Sequence, residues 1–219
     1  RNESSAASDV YKRQVFLDYF SNKKRNKIFK RSEILGQISA NSKCIAVAGT
    51  HGKTSTTAIL SHLLYSNQVK FRSFVGGIMK GFDSNYISTG DEYVIIEADE
   101  YDRSFLTLDP DYSLITSIER DHLDVYDDLE SILTSFGIFC DKTKKYVIAE
   151  KDISIKKDFS FSVDEDADYS ADIIKNDLNG IHFDFKTPNS LIPNIHARVI
   201  GKHNLKNVVS ALSLIDQIE

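Results

Sequence analysis

The sequence predicts an α/β fold, a mostly parallel sheet flanked by helices with a small antiparallel subsheet. Three observations carry this expectation. Apolar runs at residues 44–48, 93–98 and 112–117 have the near-continuous hydrophobicity of strands buried on both faces. Residues 54–66, 129–136 and 208–215 carry apolar side chains at helical spacing, so helices separate or follow those strands. From residue 151 to 193 the chain becomes polar and acid-rich around alternating runs such as Phe159-Ser160-Phe161-Ser162-Val163 and Ile181-His182-Phe183-Asp184-Phe185, which read as antiparallel strands wet on one face.

The first strand, residues 44–48, ends in Gly49-Thr50-His51-Gly52-Lys53-Thr54-Ser55, and a helix with Ala58, Ile59, Leu60, Leu63 and Leu64 on its apolar face begins at once. A strand that enters a glycine turn opening onto a helix N-terminus makes an anion site, because the first helical N–H groups lack internal partners and the helix dipole adds partial positive charge. Two glycines allow close approach of a polyphosphate, Lys53 adds a mobile positive charge, and the Thr54 hydroxyl is placed for Mg²⁺. The strict phosphate-loop pattern has a glycine five positions before its Gly-Lys pair, where this chain has Val47. The shorter form still reads as a nucleoside triphosphate site.

Residues 69–75 form the next predicted strand, closed by Gly76-Gly77, which open a loop running through Gly81, Asp83 and Asn85 to Gly90. The following strand ends in Glu97-Ala98-Asp99-Glu100-Tyr101-Asp102, four carboxylates in six residues. Such crowding repels itself unless cations neutralise it. A divalent metal is the economical explanation and a solvated acidic loop the plain alternative. In α/β sheets ligands bind beyond the carboxyl ends of the strands, where this cluster and the glycine loop both fall.

The strand at 112–117 runs into Asp121-His122-Leu123-Asp124. A lone histidine is commonly structural, but one beside two aspartates past a strand end is a candidate Mg²⁺ ligand or acyl-phosphate contact. Asp127 and Glu130 have capping-box spacing for a helix whose apolar face is Leu129, Ile132, Leu133 and Phe136. Residues 146–149 make a further strand. Near the end, Gly201-Lys202-His203-Asn204-Leu205-Lys206-Asn207 precedes a helix with Val208, Val209, Leu212 and Ile215 inward. Asparagine offers a donor and an acceptor that suit an adenine edge, although Asn204 and Asn207 taken singly are only helix-capping groups.

The chain has 219 residues, 41% hydrophobic and 27% charged, ample for a core. Its net charge of −5 speaks against nucleic acid as a partner. Cys44 and Cys140 both lie in apolar surroundings and read as buried thiols rather than a disulfide scaffold. With no secretory signal and no apolar run long enough to span a membrane, the expected compartment is the cytoplasm. Residues 1–14 are small and polar and read as a disordered or foreign tail; the basic run at 23–27 reads as a solvated helix end or loop.

Taken together, GTHGKTS at 49–55, EADEYDRSF at 97–105, DHLD at 121–124 and GKHNLKN at 201–207 resemble the central ATP-binding domain of the Mur ligase family, the ATP-dependent amide-forming enzymes of peptidoglycan synthesis. The loop histidine His51 and the EADE element are most similar to the members that join L-alanine to UDP-N-acetylmuramate; a ligase recycling a whole tripeptide, or a non-catalytic nucleotide-binding module, are the rival readings. The resemblance implies that Gly49, Thr50, His51, Gly52, Lys53, Thr54 and Ser55 hold the ATP phosphates, with Thr54 also on Mg²⁺. It implies further that Glu97 and His122 bind metal, that Lys53, Glu97 and His122 form the catalytic set, and that His203, Asn204 and Asn207 meet the base and ribose. The loop beginning at Gly76 and Gly77 would face the sugar nucleotide. Ser117 departs from the family pattern, which commonly has asparagine there. The implied organisation is residues 15–43 as a remnant of an N-terminal UDP-sugar domain and linker, and 44–219 as the ATP-binding domain. No C-terminal domain follows in this reading, so the chain alone is expected to be inactive.

Overall fold

The computed structural model describes Phe29, residues 31–119 and residues 128–218, apart from the side chain of Asp102. The N-terminal tail, the basic run at 23–27, Asp127 and the DHLD segment with His122 lie outside the described residues. In chain order the elements are α1 (Arg31–Ser39), β1 (Lys43–Ala48), α2 (Lys53–Ser66), β2 (Phe71–Met79), β3 (Ser84–Ser88), β4 (Tyr93–Glu97), a 3₁₀ helix (Tyr101–Thr107), β5 (Tyr112–Ile115), α3 (Leu129–Asp141), β6 (Tyr146–Glu150), β7 (Phe159–Val163), β8 (Tyr169–Asp177), β9 (Gly180–Lys186), β10 (Leu191–Ala197) and α4 (Lys202–Ile215).

All ten strands join one sheet in the order β10-β9-β8-β7-β6-β5-β1-β4-β2-β3. The run from β2 to β8 is parallel throughout, while β3 at one edge and β9 and β10 at the other are antiparallel. β1 is central and alternates as a strand covered on both sides must: Ile45 and Val47 face α2 and α4, whereas Cys44, Ala46 and Ala48 face α1, the 3₁₀ helix and α3. On this second face Phe105 from the 3₁₀ helix packs against Phe136 and Phe139 of α3, with ring centroids 5.1 and 4.8 Å apart. The expected α/β class and the three principal strands are therefore borne out.

Three local expectations are corrected. β2 does not stop at Val75 but runs through Gly76-Gly77 to Met79, with a register irregularity against β3 between Phe74 and Met79. Its pairing with β4 ends at Phe74↔Ile96, so the glycine segment continues past the end of β4 instead of opening a loop. The alternating run of β7 is parallel to both neighbours, not antiparallel. Alternation reports that one face is apolar: Phe161 and Val163 lie in the core, while Ser160 turns to Asp168 Oδ2 at 2.6 Å. Strand direction is set by the connections, about which alternation is silent. Finally, α3 is capped by Asp128, whose side chain accepts from Ser131 N at 2.8 Å. Leu129 is consequently exposed, and the buried stripe is Ile132, Phe136, Phe139 and Cys140.

Both cysteines are free and buried. Burial above all, then the Asp111 carboxylate, pushes the Cys44 thiol up to about 12; burial and then Asp141 do the same for Cys140. A thiol that resists ionisation when folded, but ionises near its ordinary value of 9.0 when unfolded, leaves stability intact below that value. The stability is lost as pH rises from there towards 12, so denaturant midpoints should decline from pH 9 upward, and Cys44→Ser with Cys140→Ala should flatten the decline. Asp128→Ala should cost about 1 kcal/mol in urea unfolding, and Asp128→Asn much less.

Candidate functional site

The parallel register brings the carboxyl ends of β1, β4 and β5 to one rim. Val47 lies opposite Glu97, and Ala48 opposite Ile115. The loop after β1 is held from the β5 side. Thr50 N–H donates to Ser117 O at 3.0 Å, His51 N–H donates to Ser117 Oγ at 2.9 Å, and Thr116 Oγ1 donates to His51 O at 2.5 Å. The Thr50 and Ser117 hydroxyls are 3.1 Å apart, and Thr50 Oγ1 also accepts Glu119 N–H at 3.1 Å. Ser117 thus braces the loop through its hydroxyl. Thr50 is buried, with its hydroxyl and its N–H engaged by this brace.

Gly52 occupies the N-cap of α2 at φ 84°, a left-handed conformation, and a Cβ there would come within 2.5 Å of Asn207 Oδ1. Among the described residues no side chain caps this helix and its first turn holds no acid, so its N-terminal N–H groups and positive dipole end suit an external anion. Thr54 and Ser55 are exposed on that turn, and His51 is exposed with Nε2 3.6 Å from Glu119 Oε2.

The acidic cluster is divided among separate partners. Glu97 Oε1 accepts the Thr54 hydroxyl at 2.7 Å and Oε2 accepts Gly76 N–H at 2.6 Å. This is why β2 must carry glycine there: a Cβ on Gly76 would sit 2.8 Å from both Glu97 oxygens. Gly77 lies beside the Thr54 methyl group. Glu100, only 1% exposed, takes Lys53 Nζ on both oxygens at 2.8 and 3.0 Å. Asp99 closes its own turn by accepting Tyr101 N–H at 3.1 Å. Among the described residues no three His, Cys, Asp or Glu side chains converge as a ready-made metal group. Lys53, a hydroxyl and backbone N–H groups meet these carboxylates in the described structure. Lys53 Nζ also donates to Gly49 O at 2.6 Å.

Among the described residues, Thr54 Oγ1 and Glu97 offer a cation two hard oxygen donors on the exposed side of the loop. Mg²⁺ takes one or two protein oxygens and completes its shell with water and phosphate, so this donor set fits it. A cleft of about 450 Å³ opens beside Glu97, lined by Arg31, Ser32, Asp99, Tyr101 and Ser104 among others. From the opposite side α4 contributes Asn207, buried against Gly52 with its amide nitrogen lacking a partner among the described residues. His203 and Asn204 are exposed on its first turn, and the Asn204 amide donates back to Ile200 O at 2.8 Å. Sequence reasoning counted Glu100 among four similar acids and gave it no task; the distinguishing signal, burial, exists only in the fold. His122 lies outside the described residues.

Comparison with known proteins agrees with this arrangement. Residues 47–215 match the family model of the Mur ligase middle domain. The chain is 41% identical over 197 residues to a UDP-N-acetylmuramate–L-alanine ligase of Christiangramia forsetii, covering 89% of this chain and 43% of the relative. It is 40% identical over 189 residues to the ligase of the same name from Flavobacterium psychrophilum, covering 84% and 42%. The chain therefore spans less than half the length of these relatives. Among solved structures, the UDP-N-acetylmuramate-alanine ligase of Thermotoga maritima superposes with a TM-score of 0.74 at 26% identity, covering 85% of this chain and 43% of that one. A murein peptide ligase of Psychrobacter arcticus, at 21% identity and a TM-score of 0.73 over 92% of this chain and 49% of that one, shares the fold. With the family model spanning the loop, the acidic strand end and α4, this chain belongs to the Mur ligase family.

Proposed function

We propose that this chain is the ATP-binding part of a ligase that joins L-alanine to UDP-N-acetylmuramate in peptidoglycan synthesis. The observation that supports it most is the meeting of an uncapped helix N-terminus, bearing Lys53 and Thr54, with Glu97 and Glu100 at the end of β4. The reaction would transfer the γ-phosphoryl group of ATP to the muramoyl carboxylate, releasing ADP, and the alanine amine would then displace phosphate from the acyl phosphate.

A carboxylate attacking a triphosphate brings like charges together, so positioning and positive charge are the protein's main contributions. The N–H groups of Gly52, Lys53, Thr54 and Ser55 would hold the phosphates, with His51 at the loop's outer side. Thr54 and Glu97 would hold Mg²⁺, which when bound neutralises phosphate charge; we assign His122 to a second such ion. His203, Asn204 and Asn207 would orient the base and ribose from α4. The cleft beside Glu97 would give the sugar-nucleotide carboxylate room near the γ-phosphate, and Gly76 and Gly77, which lie against Glu97 and Thr54, would face the sugar nucleotide. In this reading residues 15–43 belong to the end of a UDP-sugar domain, and the compartment is the cytoplasm. Among the described residues no helix is long and apolar enough to cross a membrane.

Calorimetry should show weak ATP binding to this chain that strengthens with Mg²⁺, and no turnover by the chain alone; absence of binding under both conditions would sink the assignment. In the intact protein, phosphate release should require UDP-N-acetylmuramate with L-alanine, and release with a tripeptide instead would move the protein to the recycling branch. Lys53→Ala should lower kcat by about 10² or more, roughly 2.7 kcal/mol, with unchanged turnover removing Lys53 from the mechanism.

A further inference from the structure

The first two turns of α4 contain a local conflict. Lys202 and Lys206 stand four residues apart on one face, a like-charge pair at the positive dipole end of the helix, and its first turn holds no acid. Carboxylates from the sheet meet both. Lys206 Nζ donates to Glu150 Oε1 at the end of β6, and Lys202 Nζ lies 3.3 Å from Asp164 Oδ2 just past β7. Because β1, β5, β6 and β7 run parallel, these two acids reach the same rim as the loop after β1. The Glu150 side chain is 16% exposed, and the turn that follows it is fixed: Lys157 Nζ donates to the carbonyls of Glu150, Lys151 and Ile153 at 2.9, 2.6 and 2.7 Å. Asp164 is held at φ 60°, a left-handed conformation uncommon for a residue with a side chain, while its Oδ1 accepts Ile173 N–H at 3.2 Å.

Resting on the nucleotide reading above, we infer that Glu150 is a positioning residue for nucleoside recognition. Through Lys206 it seats the first turns of α4, and with them His203, Asn204 and Asn207, against the phosphate loop; Asp164 secures the same helix through Lys202. Apolar packing of Leu205, Val209 and Leu214 holds α4 on the sheet, but such packing is non-directional. The two ion pairs fix how the helix is turned and how far it slides along the strand ends. That placement matters at Asn207, the residue after Lys206, because it lies so close to Gly52 that a Cβ there would come within 2.5 Å of its Oδ1. Pairs open to solvent to this degree add little to global stability, so their effect falls on where the helix sits. A carboxylate on Lys206 also lowers that lysine's pull on phosphate, so the pair serves placement rather than attraction.

The test is Glu150→Gln in the intact protein, with Mg²⁺ and ATP as substrate and inorganic tripolyphosphate as a competitor that lacks the nucleoside. KM for ATP should rise about 3–10-fold with kcat within about twofold, because an interaction shared by ground and transition states is lost. The inhibition constant of tripolyphosphate should stay within about twofold of wild type, since the loop that holds phosphate is untouched. Lys206→Met should raise KM for ATP to the same degree and the double variant no further, as both substitutions remove one contact. A parallel change in the affinities for ATP and tripolyphosphate would overturn the proposal; loss of the Glu150 charge acting by itself would tighten both. Unchanged KM in Glu150→Gln would overturn it as well, and so would a fall in kcat at unaltered KM, the mark of a smaller folded fraction. Should Glu150→Gln fail to fold, wild-type KM in Lys206→Met would overturn it equally. A wild-type protein that binds no ATP defeats the nucleotide reading itself, whereas equal KM for ATP in wild type and Glu150→Gln defeats only the role of Glu150.

Discussion

The hydrogen bonds between the loop after β1 and the end of β5 are the constraint on which the site depends. A glycine-containing loop has little intrinsic shape, and its conformational freedom must be removed by its surroundings. Here Thr116 and Ser117 supply that restraint through two hydroxyls and a carbonyl, fixing Thr50 and His51 before α2 begins. The brace works because β5 lies directly beside β1 in parallel register, so both strands deliver their ends to the same rim. With the loop set, the first turn of α2 presents its N–H groups outward and Lys53 inward.

The same rim resolves an electrostatic problem that the linear sequence leaves open. Glu97, Asp99 and Glu100 stand within four consecutive positions, yet the turn from β4 into the 3₁₀ helix sends them to different partners. Glu97 stays at the surface between Thr54 and Gly76, while Glu100 goes inside to Lys53. Separation by burial gives two acids of one motif distinct tasks, one suited to an exchangeable cation and the other to a permanent ammonium. The lysine and threonine they meet are neighbours on α2, so both pairings depend on a single helix being correctly seated.

Packing supports that seating from both faces of the sheet. α2 and α4 cover one face, and α4 brings Asn207 against Gly52, so the loop is enclosed by β5 on one flank and α4 on another. The other face is closed by α1, the 3₁₀ helix and α3 around Phe105, Phe136 and Phe139. The 3₁₀ helix therefore joins chemistry to stability: its N-cap residue is Glu100, and its buried ring belongs to the core. A change at Phe105 would be felt at Lys53 through one short helix.

By itself the sequence determined the class of fold, the strand–loop–helix that makes an anion site and the acidic strand end beside it, because periodicity and glycine placement are local properties that residue order encodes directly. It also pointed to the family, through four motifs in a definite order. Tertiary structure alone decided the parallel direction of β7, the extension of β2 through Gly76-Gly77, and the division of labour between Glu97 and Glu100. Those outcomes depend on which strands become neighbours and which side chains lose water. Contacts such as Lys53 with Glu100, or Gly52 with Asn207, join residues 47 and 155 positions apart and leave no mark on local pattern.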